Sequence, residues 1–182
     1  MATNILQPEI KQVTPQPSIT SLQEAAETIQ IDSMQYAHAK SIQPIRAASQ
    51  AELLQRHDFL NHFKFGLANR IANTVAAHDD HVQEIYYFDP NLNPDAETET
   101  YTPLDVSVNL LVLVHSKSAA LESFIAALDG ALTEQIRKLP APQFTKLTSI
   151  LNAILITEED VEQGRGYAVL LSSKYLKPRK II

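Results

Sequence analysis

The clearest hydrophobic rhythm begins after residue 51. Phe59, Phe63, Leu67, Ile71 and Val75 recur at every fourth position, and Leu60 and Ala68 widen the stripe. That period predicts a long amphipathic helix, with the polar Arg56, Lys64 and Arg70 set off the stripe. Gly66 interrupts it and marks a place of close packing. The pattern then changes. Residues 82–88 (VQEIYYF) and 106–114 (VSVNLLVLV) are rich in β-branched and aromatic side chains and predict strands. The second is apolar on both faces over 110–114, as a central strand covered by helices on each side should be. Leu121, Phe124, Ile125, Leu128, Leu132 and Ile136 form one stripe of a helix over 118–139, which Pro140 and Pro142 end. Residues 150–156 predict a third strand. Thr157-Glu158-Glu159-Asp160 starts a last helix running to about residue 173, and 179–182 predict an edge strand. The fold class is therefore α/β (or α+β), a small mixed sheet flanked by helices.

Before residue 51 the pattern is different. Pro8, Pro15, Pro17 and Pro44 interrupt a Gln/Ser/Thr-rich stretch. Ser21-Leu22-Gln23-Glu24 has capping-box spacing, and Leu22, Ala26 and Ile29 share a face, so a short docked helix fits there. The expected division is a partly flexible Pro/Gln-rich arm over 1–50 and an α/β domain over 51–182.

Composition narrows the functional classes. The 182 residues are 45% hydrophobic, enough for one core, and carry a formal net charge of -6. An acidic chain lacks the basic field of a general nucleic-acid binder. The absence of cysteine removes disulfides, zinc-thiolate sites and thiol nucleophiles. The apolar run 110–114 is too short to span a bilayer and no signal-peptide pattern opens the chain. A soluble, cytoplasmic protein is the expectation.

Candidate chemistry concentrates in the acidic stretch DPNLNPDAETET, 89–100. Asp89, Asn91, Asn93 and Asp95 alternate as the first ligands of a calcium loop do. Pro94 stands where that loop needs glycine, its φ locked near about −65°, and Thr100 stands where it needs a bidentate Glu. This excludes an EF-hand and leaves at most a weak Mg²⁺ or Ca²⁺ site at those four residues. No Lys or Arg occurs over 71–116, so the 89–105 stretch reads either as a solvated turn-rich loop or as a surface for a basic partner. His78-Asp79-Asp80-His81 and Arg56-His57-Asp58 have metal-like spellings but also suit a helix end and a turn. Gly164-Arg165-Gly166 lacks phosphate-cradle spacing and suits a distortion of the last helix. Lys174, Lys177, Arg179 and Lys180 make the tail basic, either a solvated end or a partner for an acidic surface, including that of a second copy.

The order helix, strand, strand, helix, strand, helix resembles the minimal bacterial form of the nucleotidyltransferase superfamily over about residues 51–182. VQEIYYF corresponds to its first strand, LDVSVNLLVLV to its second, and ILNAILITEEDVEQ to its third strand and following helix. The motifs depart from that pattern. Asp89-Pro90 stands where Gly-Ser is expected, Asp105 is followed two residues on by Ser107, and Asn152 takes the third-strand carboxylate position. The resemblance implies a pair of divalent cations held by carboxylates, and this chain keeps too few of them.

The leading expectation is a non-catalytic binding or regulatory protein resembling an inactive nucleotidyltransferase, with no firm cofactor. A protein partner would engage residues 1–50 or the acidic 89–105 stretch, and a homo-oligomer fits as well. The alternatives are a divalent-dependent nucleotidyl or phosphoryl transferase using Asp89 and Asp105, and a structural subunit of an assembly.

Overall fold

A computed structural model describes residues 19–41, 49–89 and 105–182. Eleven elements are described: α1 (Ile19–Lys40), α2 (Gln50–Leu53), α3 (His57–His78), β1 (Val82–Phe88), β2 (Val108–Val114), α4 (Ala119–Arg137), a 3-10 turn (Pro142–Phe144), β3 (Leu151–Ile156), α5 (Glu158–Glu162), a 3-10 helix (Gly166–Ser172) and β4 (Arg179–Lys180). The strands form one mixed sheet in the order β3-β2-β1-β4. β1 runs antiparallel to both β2 and β4, and β2 runs parallel to β3, as a crossover through α4 requires.

Strand alternation sorts the side chains onto two faces. Ile85, Tyr87, Val108, Leu110, Val112, Val114, Leu151 and Leu155 belong to the main core beneath α1, α3 and α4. Phe88, Leu111 and Ile156 belong to a smaller cluster on the other face, closed by Ala168 with Leu170 and Leu171 of the 3-10 helix. β2 is thus apolar on both faces as expected, but its second cover is a 3-10 helix and not a long α-helix. The last helix stops early because Gly164 and Gly166 take φ of 59° and 52°, where the chain turns out of α5. Thr157 and Asp160 cap α5 reciprocally, so its predicted start is where the structure puts it. The tail forms an edge, Ile181 donating to the Ile85 carbonyl at 2.8 Å beyond β4.

The helices differ from expectation in two places. Residues 50–53 form a separate turn, capped by Ser49 and Glu52, and α3 begins at His57. α1 has 22 residues, and Ser21 and Glu24 lie inside it, not at a cap. Ala26, Ile29, Met34 and Ala37 are buried in the main core, so α1 and the body share one apolar interior. The rest of the expected arm, 1–18 and 42–48, lies outside the described residues. α1 and α3 approach closely at Gly66: a Cβ there would stand 3.1 Å from the Ser33 Cα.

Asp129 ties α4 to the sheet. Its Oδ1 accepts from the backbone N–H groups of Ile150 and Leu151, each at 2.9 Å, at the start of β3. Both of those residues are buried. Asp129→Ala leaves two donors without this acceptor and should lower stability by about 2 kcal/mol, read as a lower urea midpoint with an unchanged slope. An unchanged midpoint would mean that water replaces the carboxylate there.

Candidate functional site

The residue just past β1 and a residue shortly before β2 each place a carboxylate against a buried cation of α3. Lys64 of α3 is 4% exposed, although a charged residue was expected off the apolar stripe. Its Nζ lies 2.7 Å from Asp89 Oδ2 and 3.8 Å from Asp105 Oδ2. Asp89 is buried just past β1, and Asp105 is partly exposed just before β2. Tyr87 is two residues before Asp89 on the same face, and its hydroxyl donates to Asp89 Oδ2 at 3.3 Å. Asp105 is fixed from its other side: Oδ1 accepts from the Ser107 amide at 2.9 Å and the Ser107 hydroxyl at 2.7 Å. This is the side-chain-to-backbone turn that an Asp favours two residues ahead of its donor.

The two carboxylates singled out from sequence therefore meet, and the group between them is Lys64, which sequence reasoning left on the surface. A signal for it existed. Leu60 and Ala68 are the residues one turn either side, and both are buried, so Lys64 lies on an inward row of α3. Asn152 does not join this set. It stands on the opposite face of the sheet and donates to Asn109 at 3.0 Å. Asn91, Asn93 and Asp95 lie outside the described residues.

The remaining metal-like spellings are used otherwise. His78 stacks on Phe124 with ring centroids 3.6 Å apart, and His81 Nδ1 lies 2.9 Å from Asp79 Oδ1. Arg56 pairs with Asp58, whose carboxyl that guanidinium holds below its ordinary range. Among the described residues no three His, Asp or Glu side chains gather into a metal-binding group.

Electrostatics at the site extend to the tyrosines. Burial, followed by the charge of Asp89, pushes the Tyr87 hydroxyl well above the ordinary tyrosine range. On the other face, burial and Glu84 push Tyr86 up to about 12. The unfolded chain ionises its tyrosines near about pH 10, where the folded chain still holds these two protons. The folded state then binds more protons than the unfolded one, so stability is full below about pH 10 and falls as pH rises above it. Absorbance titration at 295 nm should show these two hydroxyls ionising last. In Tyr87→Phe the alkaline loss of stability should be shallower; an unchanged profile would contradict the shift.

Beside this ion group lies a cleft of about 530 Å³ between α1, α3 and the tail. Its wall is an aromatic series. Tyr36 meets Phe65 at 6.1 Å and His62 at 6.5 Å between centroids, and Phe65 meets Tyr87 edge-on at 5.8 Å. Arg179 of β4 lies over the Phe65 ring, its Cζ 4.4 Å from the centroid. Among the described residues no helix is long and apolar enough to cross a membrane. No protein-family model, no curated protein and no solved structure matches this chain.

Proposed function

We propose that the protein acts by binding and not by nucleotidyl or phosphoryl transfer. The observation that carries this reading is the place of Lys64, whose ammonium stands 2.7 Å from Asp89 and 3.8 Å from Asp105. A divalent cation bridging those carboxylates must displace the ammonium, or bind beside a buried like charge. Neither suits a site whose chemistry depends on cations clamping the attacking and leaving oxygens. Asn152, on the far face, supplies no third ligand. An enzyme working through Asp89 and Asp105 is therefore the less supported alternative.

A protein partner is the occupant we favour for the acidic surface. The long stretch 71–116 carries no Lys or Arg, and its carboxylates attract a basic partner over a range that lengthens as salt is lowered. The 1–50 segment is the second candidate surface, and a self-associating copy would use the same chemistry through the basic tail.

The test is a thermal-shift matrix crossing Mg²⁺, Mn²⁺ and Ca²⁺ with the four common nucleoside triphosphates. A ligand at about 100 times its dissociation constant stabilises a fold by about 2.7 kcal/mol, a visible rise in melting temperature. The expected result is no rise that requires metal and nucleotide together. A rise requiring both would sink the binding reading, and Asp105→Asn would then abolish it.

A further inference from the structure

The aromatic cleft has a charge that the rest of the molecule does not explain. Most cations near it are already paired: Lys64 with Asp89, Arg70 with Asp32 at 3.3 Å, and Lys180 with Glu84. Arg179 and Lys177 also line the cleft, and among the described residues neither has a carboxylate partner. Among the described lining residues the one carboxylate, Asp89, faces the Lys64 ammonium. The described lining of the cleft thus carries net positive charge, on a chain whose formal charge is -6. Strand pairing supports the position of Arg179: it lies opposite Tyr87 in the β1–β4 ladder, on the face that carries Phe65.

We propose that this cleft binds a small planar molecule carrying a carboxylate or phosphate. The partly exposed rings of Tyr36 and Phe65 offer apolar surface to the planar body, with the buried Tyr87 ring set edge-on to Phe65, and a volume of about 530 Å³ suits a ligand of one or two fused rings with its substituents. The Arg179 guanidinium, held by its stack on Phe65, presents a preorganised fork to the anionic group. Lys177, an exposed lining residue, adds a second positive charge. The inference stands on the cleft alone. It holds whether or not Asp89 and Asp105 ever meet a metal, so its test is run in EDTA and is read separately from the metal–nucleotide matrix.

The probe is 8-anilinonaphthalene-1-sulfonate, a fluorescent planar anion, titrated into the full-length folded chain. The expected result is saturation at one probe per chain. Arg179→Glu should raise its dissociation constant at least about tenfold, the effect of losing a charge-assisted contact. Lys177→Glu, an exposed residue outside the sheet, should weaken binding in the same direction, and Lys174→Glu, outside the cleft, should leave it unchanged. Thermal melts confirm that each variant is folded. Competition identifies the natural group: displacement by 1-naphthoate assigns a carboxylate, and displacement by 1-naphthyl phosphate assigns a phosphate. The proposal is overturned if the probe does not saturate, if folded Arg179→Glu and Lys177→Glu both bind it as wild type does, or if neutral 1-naphthol displaces it as well as the two anions.

Discussion

Replacing Lys64 by Met should unfold the protein at a much lower urea concentration than the wild type. Methionine fills the same volume, so packing is nearly kept. What is lost is the ammonium 2.7 Å from Asp89 in a place where both side chains are about 5% exposed or less. Removing one partner leaves the other as an uncompensated buried charge, which costs about 3–5 kcal/mol. Against a total stability of about 5–15 kcal/mol this is a large share. The second substitution is the informative one. Lys64→Met combined with Asp89→Asn removes both charges, and should recover most of the loss, because a buried ion pair as a whole is worth far less than either charge left alone. The recovery is read as the coupling term of a double-mutant cycle. If the Lys64→Met midpoint matches wild type, the Lys64–Asp89 pair is not a desolvated ion pair.

A chain that begins at Ser49, without α1, should lose cooperative unfolding altogether. α1 buries Ala26, Ile29, Met34 and Ala37 in the same core as Phe63, Leu67 and Ile71, and packs on α3 and α4. Full burial of a large aliphatic side chain contributes about 1.5–3 kcal/mol, and removing α1 also bares the helix faces it covers. The sum approaches the whole stability of an ordinary domain. The expected species keeps helical far-UV signal, melts without a heat-capacity peak and exposes apolar surface. A sharp transition near the wild-type temperature would instead support a separable arm over 1–50.

Much of the fold was legible because its strands and two of its helices carry strong, simple patterns. VQEIYYF and VNLLVLV are dense in β-branched and aromatic residues, and the Phe59-to-Val75 and Leu121-to-Ile136 stripes keep helical period over several turns. α1 was harder. Its buried positions past Ile29 include Ser33, which lies against Gly66, and Ala37, small residues that carry little hydrophobic signal. The break after α5 depends on positive φ at Gly164 and Gly166; the Gly-Arg-Gly spelling hinted at distortion but not at a complete stop. The candidate site shows the same division. Asp89 stood out as the first oxygen of a calcium-like spelling and Asp105 as the carboxylate at the position of an Asp-x-Asp pattern. Lys64 did not, because a charge on a helix is ordinarily at the surface, and only its position between Leu60 and Ala68 argues otherwise. The cleft was not legible at all, since Tyr36, Phe65, Tyr87 and Arg179 come from four elements that only the packing brings together.

Calorimetric titration of Mn²⁺ into the wild-type protein tests the central claim most directly. If Lys64 holds the place between the two carboxylates, no saturable Mn²⁺ site should depend on them, and Asp89→Asn and Asp105→Asn should leave the titration as it is. A one-to-one Mn²⁺ site lost in both substitutions would contradict the account, because it would make Asp89 and Asp105 a metal-binding pair that the ammonium does not displace.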